Sequence, residues 1–263
     1  MREYYLPLPT VLNFANDLLC FVAHKPSFAP HQFQGLKLVV SIKGTFCGQL
    51  DNQHVPGLTA ILVNRNTVHA LSASEATLLI YYIDLLSPLY HRLLTLLNGQ
   101  LWLDLSVQVS ALNPEWSFVQ PENTPPTRAQ ELLGLLFGFP DHSQGFRFDS
   151  RIQILLNYID GHIQQPMTLS DLAPLLRLSV ERTRHLFGEQ LGMSFSQYLI
   201  WTRMKRVIQH VFRQRSPLGK TSVQYGFKDQ SHFDRMFKRA FGTNFKALLR
   251  SNNSRMFPIQ HVG

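Results

Sequence analysis

Cysteine is nearly missing from this chain. Cys20 and Cys47 are the only two in 263 residues, and they form no CxxC pair. A disulfide framework and a thiolate metal site are therefore not expected, and both cysteines read as reduced, buried, small apolar residues. Charge is sparse as well, at 16% of residues, and the acidic sign is the scarcer, with 17 Asp and Glu against 25 Lys and Arg. Long apolar runs are lacking. The best, Asp17 to Ala23 and Ala76 to Ile83, are far too short to cross a bilayer. The start, Met1-Arg2-Glu3-Tyr4, has no signal-peptide layout. These absences predict a cytoplasmic chain that makes no use of a membrane.

What charge there is lies unevenly. Residues 1–150 hold 8 Lys and Arg against 11 Asp and Glu, a net of −3, while residues 151–263 hold 17 against 6, a net of +11. An acidic part joined to a strongly basic one suggests a polyanion-binding domain attached to a domain with another task.

The acidic part reads as short strands. Leu36–Lys43, Phe46–Leu50, Thr59–Val63 and Ala76–Ile83 are separated by polar or Gly-containing turns such as Asp51-Asn52-Gln53 and Asn64-Arg65-Asn66. That spacing suggests a small sandwich or barrel. Pro88 opens a helix whose apolar face is Leu89, Leu93, Leu94, Leu96 and Leu97, and a second helical pattern covers Thr127–Phe137. Residues 114–126 read as a loop. Phe139–Gly145 reads as part of a linker.

After Asp149 the chain turns helical. Ile152, Leu155, Leu156, Ile159 and Ile163 recur at helical spacing behind an Asp149 or Ser150 cap. Two helix-turn-helix units follow. The first runs through Leu169–Ala173 to Ser179–Phe187; the second ends in Tyr225–Gly242. A long helix from about Phe195 to Phe212 would join them as a stiff connector. In the last helix Phe233, Met236, Phe237 and Phe241 form an i, i+3, i+4, i+8 core stripe.

The remaining faces carry the chemistry. Glu181, Arg182, Arg184 and His185 on one helix, and Gln230, Ser231, His232, Asp234 and Arg235 on the other, suit base edges: Arg donates to guanine, Gln pairs with adenine, Asp accepts from cytosine. Lys205, Arg206, Lys228, Lys238 and Arg239 suit phosphates, which position a protein without selecting sequence. Double-stranded DNA is the expected partner.

These residues carry a family resemblance. Leu172-Ala173, Leu178-Ser179, Leu186-Phe187, Gly192–Leu199, Gly226-Phe227, Asp229–Phe233, Arg235, Phe237-Lys238 and Phe241-Gly242 resemble the DNA-binding domain of the AraC/XylS bacterial transcription regulators over about 100 residues. The resemblance implies two recognition helices in successive major grooves on one DNA face, and RNA polymerase as a further partner. The chain departs from the family pattern at Thr183 (usually Leu), His185 (usually Arg), Thr221-Ser222 (usually Ile-Ala) and Asn244-Phe245 (usually Thr-Pro). Gly219 also falls inside a supporting helix, at about 1 kcal/mol relative to Ala.

The N-terminal part resembles the family's cupin-like regulatory domain, through His31–Gly44, Pro56-Gly57 and Asn64–His69. That implies a small-molecule effector, a homodimer, or both. His31, His69 and Tyr81 are the effector-binding candidates. A cupin-type metal enzyme is the alternative reading. It lacks the HxH pair, since Gln32-Phe33 follows His31, so no metal, no cofactor and no catalysis are expected. The expected fold class is multidomain α+β: a cupin-like β-barrel or sandwich with helices at 1–140, a linker at 141–150, an all-α tandem helix-turn-helix domain at 151–250 and a tail at 251–263.

Overall fold

The computed structural model describes residues 12–14, 18–111, 133–138, 148–246 and 256–258. The loop expected at 114–126 and the linker at 139–145 lie outside the described residues. Of the second helical pattern, residues 133–137 are described and helical. By its contacts the chain forms two compact units, Met1–Gly145 with Met236–Gly263, and Phe146–Arg235.

The first unit is built on two sheets. One has seven strands: β1 (Leu12–Phe14), β2 (Leu18–His24), β4 (Leu36–Lys43), β7 (Ala60–Val63), β9 (Thr77–Ile83), β10 (Trp102–Asp104) and β11 (Met256–Pro258), in the order β10-β7-β4-β9-β2-β1-β11. The other has four: β3 (Ser27–His31), β5 (Phe46–Leu50), β6 (Gln53–Leu58) and β8 (His69–Ser72), in the order β3-β8-β5-β6. Among the described residues all pairings are antiparallel except β1 with β11.

The central strands β4 and β9 are buried over most of their length. A strand covered on both faces has no need of polar alternation, which is why Leu36–Lys43 alternates only in part. Helix α1 (Pro88–Leu97) starts where expected. Ser87 caps it, with its hydroxyl accepting from Leu89 N, and Asn98 ends it in the left-handed region. Its buried face is Leu89, Tyr90, Leu93 and Leu97; Leu96, expected with them, is exposed. A one-turn helix, α2 (Ser106–Ser110), follows β10.

The second unit is helical. Helix α3 (Ser150–Gly161) is capped by Asp149, whose carboxylate accepts from Arg151 N at 2.9 Å. Helix α4 (Leu169–Leu172) begins in a capping box between Thr168 and Asp171. A 3₁₀ turn, Ala173–Leu176, takes Pro174 in its first turn, where a missing N–H costs nothing. Then come α5 (Val180–Leu191), α6 (Phe195–Gln214) and α7 (Leu218–Gln224). Helix α8 (Gln230–Phe241) begins in this unit and ends in the first.

Residues 236–246 therefore group with the strands, whereas the sequence division set them with the helical domain. Aromatic packing explains the grouping. The Phe241 ring meets Tyr82 edge-on at 4.7 Å, Ala29 N donates to Gly242 O at 3.1 Å, and Gln32 N donates to Arg239 O at 3.3 Å. Gly242 has φ +71, and a Cβ there would lie 2.5 Å from His31 Nδ1. Only glycine fits that approach.

The departures from the family pattern are accommodated locally. The hydroxyls of Thr183, Thr221 and Ser222 are buried, and each donates to the carbonyl four residues earlier: Ser179 at 2.9 Å, Pro217 at 3.0 Å and Leu218 at 2.7 Å. A satisfied hydroxyl can occupy an apolar slot without the cost of an orphaned polar group. Phe245 is fully buried and edge-on to Phe237 at 5.0 Å. Gly219 leaves room for Gln230, whose Oε1 would stand 3.3 Å from an added Cβ.

Candidate nucleic-acid interface

The first candidate face belongs to α5. Arg177 ends the preceding turn in the left-handed region, and the Ser179 hydroxyl accepts from Arg182 N at 3.2 Å, so the helix starts at a fixed point. Thr183, Leu186, Phe187 and Leu191 are buried. That leaves Glu181, Arg182, Arg184 and His185 exposed, as the helical period predicts. Glu181 is shared: Arg184 Nη1 donates to one carboxylate oxygen, and His185 Nε2 lies 2.9 Å from the other. Pairs this exposed are worth only about 0.3–0.5 kcal/mol, so Arg184 can leave Glu181 for a better acceptor.

The second face belongs to α8. The Asp229 carboxylate accepts from His232 N at 2.6 Å and so fixes the helix start. Phe233, Phe237 and Phe241 are buried and Met236 is half-buried, so the aromatic stripe faces inward. Ser231, Arg235, Lys238 and Arg239 are exposed; Gln230, His232 and Asp234 are half-buried. Gln230 Nε2 donates to Asp234 Oδ2 at 3.4 Å. His232 turns back on its own turn, where its Nδ1 accepts from Lys228 N at 3.3 Å and its ring meets Phe227 at 5.4 Å. Lys228 itself is exposed.

The expected phosphate contacts on α6 fare differently. Arg206 is half-buried and paired with Asp160. Lys205 is buried, its Nζ 5.6 Å from the Trp201 ring centre. One turn of helix separates the two residues, and the ammonium lies along the ring rather than in water. Its assignment to an outward phosphate contact is corrected accordingly.

A second cluster lies inside the first unit. His31 and His69 come together, with ring centres 4.1 Å apart. Each Nδ1 donates to a backbone carbonyl, Ala29 at 2.8 Å and Thr67 at 2.9 Å. Both Nε2 atoms are thereby left as acceptors, and both face Lys37 Nζ, at 2.9 and 3.1 Å. The Lys37 ammonium also lies 5.0 Å from the Phe28 ring centre and 5.1 Å from that of Tyr82. All three basic groups are buried. Burial pushes Lys37 well below the usual lysine range. Burial, reinforced by Lys37, pushes His31 well down and His69 to about 3.

Tyr81 does not belong to this cluster. Its cross-strand partners are Cys20 and Leu38, whereas Tyr82 is opposite Leu19 and Lys37. Neighbours along a strand point to opposite faces, so Tyr82 occupies the position assigned to Tyr81. Lys37 and Tyr82 were missed at the sequence level. The available signal was a lysine set within the apolar run Leu36–Val40. Among the described residues, no group of three or more His, Cys, Asp or Glu is placed to hold a metal ion, and no helix is long and apolar enough to cross a membrane.

The comparisons with known proteins bear on the helical part first. A family profile described as "Helix-turn-helix domain" matches residues 172–251. The arabinose operon regulatory protein of Salmonella typhimurium is 32% identical over 100 residues, which are 36% of this chain and 34% of that protein. Over residues 172–251 the chain thus carries a helix-turn-helix domain similar to that of the arabinose operon regulatory protein.

Other relatives match the same part of the chain. The probable transcriptional regulator LumQ of Photobacterium leiognathi is 29% identical over 86 residues, covering 33% of this chain and 35% of that protein. The matched stretch thus spans about a third of the length of these relatives. ToxT of Vibrio cholerae shares the fold across 90% of this chain and 98% of its own, with a TM-score of 0.58 at 14% identity. A second ToxT structure, with an unsaturated fatty acid bound, matches 93% and 95% of the two chains with a TM-score of 0.50 at 15% identity. The likeness to ToxT is one of fold, and it takes in the strand-rich unit as well as the helical one. The α+β class expected from the sequence is the one observed.

Proposed function

We propose that this chain is a sequence-specific DNA-binding transcription regulator, with α5 and α8 as its two recognition helices. The observation that carries this reading is the pair of capped helices within the matched domain. Each buries an apolar stripe and presents Arg with carboxylate, amide or hydroxyl groups outward. That is the donor and acceptor set that reads major-groove edges. The test is selection of duplexes from a random pool by the full chain. Two conserved blocks about one helical turn apart are expected. Enrichment of no sequence would overturn the reading. Such a regulator acts in the cytoplasm as a non-enzyme, with RNA polymerase and a second copy of itself as further partners.

The strand-rich unit would take the effector. Lys37 is a buried basic group, held below the usual lysine range by burial, with two neutral imidazoles and two aromatic rings around it, and no carboxylate among the described residues pairs with it. Such a site favours an anionic group on an apolar body. The fatty acid bound to ToxT is a ligand of that kind, and we read the effector here as an apolar carboxylic acid held at Lys37. A long-chain unsaturated fatty acid is expected to raise the melting temperature of the wild-type chain and not that of Lys37→Met. Equal shifts in both would remove Lys37 from the site.

A further inference from the structure

Arg203 lies midway along α6, and nothing in its sequence setting marks it out from the other cations. Its surroundings do. Its Nε donates to Ile163 O at 3.2 Å and its Nη2 to Gln165 O at 2.7 Å. Both carbonyls belong to the segment between α3 and α4, the entry to the first helix-turn-helix unit. The other side of the same guanidinium covers Gly226, in the turn between α7 and α8. A Cβ on that glycine would lie 2.8 Å from both Cζ and Nη1. Gly226 has φ +83, and its N–H donates to Val223 O at 3.0 Å, which closes the turn. One half-buried planar group thus touches the entry of the first unit and the turn of the second.

We infer that Arg203 is a positioning residue that sets the separation and angle of the two recognition helices, and through them the spacing of the two half-sites on DNA. The chemistry is specific to arginine. A guanidinium offers two donors in a fixed plane to two carbonyls and presents a flat face to the glycine; an ammonium is a point with no face. The carbonyls are those left over just past the C-terminal end of α3, where a cation is favoured. Arg203 is held away from DNA by these contacts, so it carries no base preference of its own.

The inference rests on the DNA-reading function proposed above, and the experiment separates the two. Full-length wild type, Arg203→Ala and Arg203→Lys are titrated against the selected duplex and against versions with one base pair added or removed between the two blocks. Each such change moves the second block by about 3.4 Å and rotates it by about a tenth of a turn. Wild type is expected to lose about tenfold or more for either change. Both variants are expected to lose less than about threefold, with base preferences inside each block unchanged. A purely structural role would weaken binding to every spacing alike, and an unaltered spacing profile in Arg203→Lys overturns the inference. Arg203→Lys keeps the test open if Arg203→Ala fails to fold by circular dichroism. A wild-type chain with no two-block preference overturns the DNA-reading proposal itself, and the inference with it.

Discussion

Raising the salt from 50 to 200 mM is expected to weaken binding of the full chain to its selected duplex about a thousandfold. Arg182, Arg184, Lys228, Arg235, Lys238 and Arg239 are exposed cations on or beside α5 and α8. If about six phosphates are neutralised, the slope of log affinity against log salt is near −5, and a fourfold rise in salt then costs about three decades. Individual substitutions refine this. Lys228→Ala and Lys238→Ala should each flatten the slope by about one and leave sequence preference alone. Lys205→Ala should leave the slope where it is, because that ammonium is folded over Trp201. A wild-type slope shallower than about −2 would contradict the interface described here.

The second large effect is on stability against acid. His69 is held at about 3 when folded and has an ordinary value of 6.5. His31 is shifted in the same direction. As the pH falls through 6.5 the unfolded chain takes up these protons and the folded chain does not. Stability is therefore intact above 6.5 and is lost progressively from there down towards 3. Between pH 6.5 and 5 His69 alone would cost about 2 kcal/mol, with His31 adding to it. Lys37 acts with the same sign at higher pH, because its folded value is also depressed. The measurement is the urea midpoint of the full chain from pH 7.5 to 5. A fall is expected in the wild type and a much flatter profile in His31→Gln/His69→Gln, where amide oxygens can still accept from Lys37. An equally steep profile in the double variant would show that other groups govern acid sensitivity.

The helical part was legible because its pattern is redundant. Phe187 and Leu186 mark one buried stripe, Phe233, Phe237 and Phe241 another, and caps at Asp149, Ser179 and Ser194 bound the helices. The exposed set on α5 followed directly from the 3.6-residue period. The strand-rich part was less readable for a physical reason. Where both faces of a strand are buried, as in β9, Tyr81 and Tyr82 look alike in sequence. Only the pairing of Tyr82 with Lys37 and of Tyr81 with Leu38 tells which ring meets the buried lysine. Strand β2 was likewise seen only as a short apolar run. Long-range covering was also invisible: no helical period reveals that Lys205 is buried or that His232 folds back on Phe227. Arg203 was hidden for the same reason, since its partners Ile163, Gln165 and Gly226 are distant in the chain.

If α5 and α8 each read their own stretch of one duplex, substitutions on the two helices act on different base pairs. Repeating the duplex selection with full-length Arg184→Ala and Arg235→Ala tests it most directly. Each substitution is expected to relax preference at a base pair in one block only, by about 1–3 kcal/mol, with the two effects falling in different blocks. Selected sequences identical to those of the wild type in both variants, or both effects falling on the same base pairs, would contradict it.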